Sequence, residues 1–196
     1  MVFVEGVPFC MAGFVMRLQA EFNKPVLAHL GFDLVGAYNA AQRIIDLASL
    51  PSSALQESLW PRLYAEDTSR RKLHVSSMLL IVLAVGCAIS IWLAAPLLPL
   101  VLGKEFASAV STARCLALLP LLQAIRSLLN FHVIRRNCTQ LIGWASGSGA
   151  IASVVGVVAL VPGHGIIGAV ISAYVAEVAM LMILGAGILL MGRGNV

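Results

Sequence analysis

Six polar residues between positions 39 and 57 recur every three or four residues, the spacing that places side chains on one face of a helix. This polar stripe consists of Asn39, Gln42, Asp46, Ser49, Ser53 and Glu57. Arg43 lies beside the polar stripe and can reach Asn39 or Asp46. Such a stripe on a membrane helix needs water or a polar neighbour, so two interpretations stay open. The stripe lines a hydrated substrate-binding cavity, or it forms salt bridges that hold two helices together.

Three further ionisable residues lie inside apolar segments and are also candidates for substrate contacts. Arg17 is either a contact for an anionic substrate or is neutralised by Glu21, four residues later. Arg126 shares a helix face with Gln123 and Asn130, and it either lines the cavity or extends towards the cytoplasmic headgroups. Arg114 is closer to the opposite interface, where extension towards the headgroups is expected.

Glu177 is the one charged residue between His164 and Arg193. A carboxylate in such a segment either binds a proton or cation or pairs with an arginine. The cysteines and histidines show no spacing typical of a metal site. We therefore expect no catalytic residue, no metal and no cofactor.

The composition predicts a membrane protein. Apolar residues make up 60% of the 196 positions and charged residues 11%, against about 25% in a typical globular chain. No Asp, Glu, Lys or Arg occurs in residues 78–102 or 137–163. Runs of about 20 such residues match the length that a helix needs to cross a bilayer. The net charge of +4 comes from short loops beside these runs, so it does not indicate nucleic-acid binding.

The apolar runs predict an all-α fold, a single domain over residues 1–196 with six transmembrane helices. The predicted helices are Glu5–His29, Asp33–Trp60, Leu73–Leu102, Phe106–Ile134, Gln140–Val161 and Gly165–Met191. Prolines 51, 96 and 99 are expected to bend the second and third helices, and residues 61–74 form the longest predicted loop. Gly143 and Gly147 predict a close helix contact, because small residues four apart let helices approach.

The basic residues predict the orientation. With both termini cytoplasmic, seven loop Lys and Arg residues lie on the cytoplasmic side and two on the other. The seven are Arg62, Arg70, Arg71, Lys72, Arg135, Arg136 and Arg193, and the two are Lys24 and Lys104. This bias follows the positive-inside rule.

Three segments resemble the second half of bacterial polysaccharide flippases, which belong to the multidrug/oligosaccharidyl-lipid/polysaccharide exporter superfamily. They are VGAYNAAQRIIDLASLPSSALQESLWPRLYAE, APLLPLVLGKEFASAV and GHGIIGAVISAYVAEV. The family's proteins have twelve helices in two parallel halves around a central cavity, and the present chain is similar to one half only.

The resemblance implies a transporter that moves lipid-linked oligosaccharide or polysaccharide precursors to the periplasmic leaflet of the bacterial inner membrane. Its implied partners are that lipid-linked glycan, membrane lipids and a second six-helix half or a second copy. Three alternatives stay open: a drug or cation exporter of the same superfamily, a membrane glycosyltransferase, and a non-functional half-length remnant. The four intramembrane arginines disfavour the first, and the lack of an acidic catalytic loop disfavours the second.

Overall fold

The structure is a computed structural model that describes residues 21–63, 70–136 and 138–193, and all regular elements in these ranges are helical. Residues 21–28 are helical. The α-helices that follow are α1 (Phe32–Leu63), α2 (Arg70–Ala94), α3 (Leu98–Leu102), α4 (Ala107–Leu116), α5 (Leu119–Arg135), α6 (Gln140–His164) and α7 (Ile166–Arg193). Short 3-10 helices cover Ala95–Leu97 and Lys104–Phe106. The predicted all-α fold is confirmed for the described residues.

Among the residues that the structure describes, four helical segments are long and apolar enough to cross a membrane. They are Arg71–Leu102, Lys104–Arg135, Gln140–His164 and Ile166–Leu190. Large apolar side chains cover their outer surfaces: Met78 is 74% exposed, Trp144 74% and Met182 69%. Apolar surface of this extent is unfavourable in water but suits contact with lipid chains. The four segments therefore indicate a multi-pass membrane protein.

The prediction of six spans is met only in part, because the described residues supply four. Most of the first predicted span, Glu5–His29, lies outside the described residues. The second predicted span, Asp33–Trp60, is present as α1, whose 32 residues extend about 48 Å at 1.5 Å per residue. Its length is sufficient, but its charged, amide and hydroxyl side chains make it too polar to qualify as a span by composition.

Prolines divide the spans in ways that the sequence predicts only partly. The expected bend before Leu102 coincides with the 3-10 helix Ala95–Leu97, which contains Pro96. The predicted span Phe106–Ile134 is present as the segment Lys104–Arg135, but a turn at Ala117 and Leu118 that was not predicted separates α4 from α5. Pro120 occupies the first turn of α5, where a missing N–H costs no helical hydrogen bond.

The loop predicted at the end of α1 is longer than the one observed, and the kink predicted at Pro51 does not interrupt the helix. The helix is continuous through Pro51. It runs on to Leu63, and α2 begins at Arg70, so the predicted loop over residues 61–74 is too long at both ends.

The described residues form two compact units, residues 35–128 and residues 129–193 together with 21–34. In the second unit, α6 and α7 pack antiparallel along their whole length, joined through Gly165, which has a φ of +55°. Glycines allow this close approach, since a methyl group at Gly156 would lie 2.9 Å from Cβ of Ser172. The close contacts pair Leu141 with Gly187, Gly149 with Met180, Gly156 with Ser172, and Leu160 with Gly168.

The predicted contact through Gly143 and Gly147 is not found among the described residues. A methyl group at either position would meet no atom of another described helix within 4 Å, so neither glycine is at the α6–α7 contact. The contact instead uses Gly149 and Gly156, which are seven residues apart and share the opposite face of α6 with buried Ser146 and Ser153. A four-residue spacing of glycines therefore indicated the correct helix but the wrong face.

We expect Gly156→Leu to destabilise the α6–α7 pair by about 1–3 kcal/mol, because the larger side chain overpacks the contact with Ser172. Gly147→Leu is the matched control, since it adds the same side chain to the same helix in open space. The free energy of unfolding in detergent, followed by circular dichroism, measures both effects. Equal stability of the two variants would contradict the assigned contact.

Candidate functional site

Helix α1 presents a packed face to the rest of the unit formed by residues 35–128. Tyr38, Ala41 and Ile45 on this face are buried. Further along, the Leu55 side chain packs on an apolar cluster of Leu80, Ala84 and Ala124 from α2 and α5. The polar residues of α1 beside this packed face therefore lie at the boundary between the protein interior and its surroundings.

Polar side chains connect α1 to α2 at the level of Cys87. The Cys87 thiol donates a hydrogen bond to the backbone oxygen of Ala48, with a 2.9 Å separation, and lies 3.4 Å from the Ser52 hydroxyl. Both Ser52 and Cys87 are buried. The sequence analysis treated Cys87 only as a small apolar side chain, and its partners could not be inferred without knowing which helices meet.

A second polar contact connects α1 to α5. The Ser127 hydroxyl donates a hydrogen bond to Oε1 of Gln56 at 2.7 Å. Neither residue was predicted to be functional. Gln56 follows Ser49 by seven residues and Ser52 by four, so its helical spacing was a usable signal.

Two polar atoms on the same side of α1 have no hydrogen-bond partner among the described residues. They are Oε1 of Gln42 and Oγ of Ser49, and both atoms are buried. Because these residues are seven apart, they lie on one helix face. Buried polar atoms normally have a partner, so each is a candidate position for a water molecule or a polar ligand group.

The six residues of the predicted polar stripe differ in their exposure. Asn39, Gln42 and Ser49 are half-buried, whereas Asp46, Ser53 and Glu57 are exposed. The line of polar residues on the inner side of α1 is instead Gln42, Ser49, Ser52 and Gln56, which we call the inner polar line. Arg43 is exposed and forms no ion pair with any other described residue, so the expected link to Asp46 is absent.

The other predicted site residues lie in different parts of the chain. Arg17 lies outside the described residues. In the unit of residues 35–128, Gln123 is half-buried and Arg126 is 9% exposed, which places its guanidinium within the protein. In the other unit, Glu177 on α7 is 5% exposed.

Arg114 is held at the surface of α4 by an aromatic ring. Its guanidinium carbon lies 4.7 Å from the centre of the Trp92 ring on α2. This is a cation–π contact, and tryptophan is the aromatic residue that makes the strongest ones. The arrangement agrees with a position near a membrane interface, where Trp and Arg side chains are both favoured.

A groove lies between α1 on one side and α2 and α3 on the other. It encloses about 590 Å³, within the range of about 300–1,000 Å³ that is common for ligand pockets. Its lining consists of Ala40, Arg43, Ile44, Leu47, Ala48, Ser90, Ile91, Ala94, Leu97, Leu98, Val101 and Leu102. We call it the α1–α3 groove, and Arg43 is its one charged lining residue.

No protein-family model, curated protein or solved structure matches this chain. The described residues also contain no group of three His, Cys, Asp or Glu side chains that could hold a metal ion. The flippase resemblance therefore stays a prediction, and the candidate site consists of the inner polar line, Arg126 and the α1–α3 groove.

We expect Ser127 and Gln56 to be energetically coupled by about 0.6 kcal/mol, the average for hydrogen bonds between membrane helices. A double-mutant cycle of Ser127→Ala and Gln56→Ala, measured by unfolding in detergent micelles, gives this value. Ser111→Ala is the control partner, because the Ser111 hydroxyl bonds to its own helix at Ser108. Strict additivity of Ser127→Ala and Gln56→Ala would show that the hydrogen bond contributes nothing to stability.

Proposed function

We propose that this chain is a six-helix half of a flippase that moves lipid-linked oligosaccharide or polysaccharide precursors across the bacterial inner membrane. The observation that supports the proposal is that polar side-chain groups are buried in a mainly apolar chain. Gln42 and Ser49 bury polar atoms on α1, and Arg126 buries a guanidinium on α5. Ionisable groups inside membrane segments are costly, by about 3 kcal/mol or more at the bilayer centre, and therefore usually mark transport pathways.

The arginines favour an anionic substrate over a cationic drug. Arg126 is buried, and Arg43 is exposed on α1 without an acidic partner among the described residues. A guanidinium has a planar fork of donors that suits phosphate oxygens. A pyrophosphate-linked glycan would place its charged and sugar groups against these side chains, while its lipid tail stays in the bilayer.

The proposal includes six spans with both termini cytoplasmic. Helix α1 would be the second span, since its length exceeds the roughly 30 Å of a bilayer core and its polar side would face water rather than lipid. The first span would include the helical residues 21–28 and the residues before them. The excess of basic residues in the cytoplasmic loops supports this orientation.

A second wall is needed to enclose a hydrated cavity. Asp46, Ser53 and Glu57 are exposed along α1, and facing lipid would be unfavourable for them. The wall would come from a separately encoded first half or from a second copy of the chain. We favour the first half, because the similar family has two distinct halves. Rocking of one half against the other would then expose the substrate to each side in turn.

The topology can be tested with single cysteines in a background in which Cys10, Cys87, Cys115 and Cys138 are replaced by alanine. We expect Lys104→Cys to react with a membrane-impermeant thiol reagent in spheroplasts, and Ser69→Cys to react only after the membrane is permeabilised. The reason is that Ser69 lies in the most basic loop and Lys104 in a sparsely charged one. The opposite labelling pattern would invert the proposed orientation.

The transport proposal can be tested at Arg126 with Arg126→Gln. We expect at least a roughly tenfold loss of the transport rate, equivalent to about 1.4 kcal/mol, because the buried charge that attracts phosphate is removed. The measurement is uptake of a labelled polyprenyl-pyrophosphate oligosaccharide into inverted membrane vesicles from cells that express the chain. These vesicles retain any partner subunit.

Arg114→Gln is the matched control, because it removes an arginine of the same unit that contacts Trp92 at the surface. We expect it to transport at nearly the normal rate. Membrane content is compared by quantitative immunoblotting, so that poor insertion is not read as poor transport. Absence of transport by the unmodified chain, or equal loss in both variants, would count against the proposed function.

A further inference from the structure

The end of α5 carries three exposed side chains that bear or can take up positive charge. They are His132, Arg135 and Arg136, and we call them the basic cluster. Both arginines lie on the same side of the chain as His132, because residues three or four apart share a helix face. The basic cluster does not belong to the candidate site described above.

The basic cluster lies at the level of the lipid headgroups. Arg135 is the last residue of the apolar segment Lys104–Arg135, and α6 begins at Gln140. Trp144, one turn into α6, is 74% exposed, and tryptophan is enriched where a membrane meets water. The two arginines can therefore reach charged headgroups without entering the hydrocarbon.

The backbone at the end of α5 does not use these side chains as caps. The Val133 oxygen accepts the N–H groups of Arg136 at 3.1 Å and Cys138 at 3.2 Å. The Cys138 thiol donates to the Arg136 oxygen at 3.4 Å. The guanidinium carbon of Arg135 lies 5.9 Å from the centre of the Phe131 ring, near the outer limit of a cation–π contact. That contact orients the guanidinium and leaves its N–H donors available to a ligand.

No acidic side chain neutralises the basic cluster within the part of the chain that the structure describes. Neither of its arginines forms an ion pair with another described residue. Glu177 is the one acid among residues 129–193. The contact between Gly149 and Met180 places Glu177 about 18 Å from the start of α6, at 1.5 Å per residue. Helix α6 has no acidic residue in its first turn. The two neighbouring positive charges therefore favour an anion from outside the chain.

We propose that the basic cluster binds the headgroup of an anionic phospholipid that carries two phosphate groups, such as cardiolipin. Each guanidinium has a planar fork of donors that suits one phosphate, and a neutral imidazole adds one N–H donor. Two arginines in adjacent positions match two linked phosphates better than two separate lipids, because the linkage brings the second phosphate to the site with the first. This site does not depend on the transport of a glycan. A lipid-linked diphosphate shares the same chemistry, so the experiment includes it.

The experiment uses the full chain in phosphatidylcholine nanodiscs that contain one of two test lipids. One is cardiolipin, and the other is phosphatidylglycerol at twice the molar amount, so that both discs have the same negative charge. Each test lipid carries a photoactivatable group near its headgroup, and mass spectrometry of peptides locates the label. We expect cardiolipin to label residues 129–144 and phosphatidylglycerol to label them more weakly. Arg135→Gln combined with Arg136→Gln should reduce cardiolipin labelling there by about tenfold.

Two double variants separate this site from general attraction to the membrane surface. Arg71→Gln combined with Lys72→Gln is the matched control, because it removes two exposed adjacent cations at the start of α2. It should leave the labelling of residues 129–144 unchanged. Arg135→Lys combined with Arg136→Lys keeps the charges that orient the helices but loses the planar forks. It should lose part of the preference for cardiolipin, and it replaces the glutamine pair if that pair does not insert correctly.

Several results would overturn the proposal. Equal labelling of residues 129–144 by the two test lipids would mean that the basic cluster responds only to surface charge, and so would equal losses in the two glutamine pairs. Displacement of cardiolipin by an equal amount of inorganic pyrophosphate would assign the site to a free diphosphate. Displacement by an equal amount of polyprenyl diphosphate would assign it to the proposed transport substrate. Cardiolipin labelling that survives both competitors supports the lipid site even if the chain transports no glycan.

Discussion

Polar groups that are surrounded by helices and lipid must find their hydrogen-bond partners inside the protein, and this constraint governs the arrangement of the helices. Several hydroxyl groups among the described residues meet it locally. Ser77, Ser90, Ser148 and Ser172 each donate to a backbone oxygen three or four residues earlier in the same helix. Bonds that cross between helices, such as those from Cys87 to Ala48 and from Ser127 to Gln56, help to specify which faces of α1, α2 and α5 meet.

The sequence predicted the helices well because their determinants are local. Uncharged runs and prolines decide where a membrane helix can extend and where its hydrogen bonding is interrupted, and the break at Ala95–Leu97 follows from Pro96. The break between Leu116 and Leu119 was missed, because Pro120 is equally compatible with a kink and with a new helix start. Helix α1 stays ambiguous, because its length fits a membrane span but its many polar side chains do not.

The candidate site was less predictable, because it depends on which neighbours each face of a helix contacts. Spacing placed six residues of α1 on one stripe, but packing against α2 and α5 buries only one edge of it. Gln42 and Ser49 therefore lie on the inner side, whereas Asp46 and Glu57 are exposed. The same limitation explains the glycines of α6, where Gly149 and Gly156 make the contact that spacing assigned to Gly143 and Gly147.

The antiparallel α6–α7 pair also has a consequence for how the protein is assembled in the cell. The two helices are joined through Gly165 and touch from Leu141 to Gly187, so they form a helical hairpin that can be released into the bilayer as one unit. Glu177 is 5% exposed, so its carboxylate is covered in the folded protein. A lone α7 would instead present that carboxylate to lipid. Insertion of α7 together with the residues that cover Glu177 avoids this unfavourable exposure.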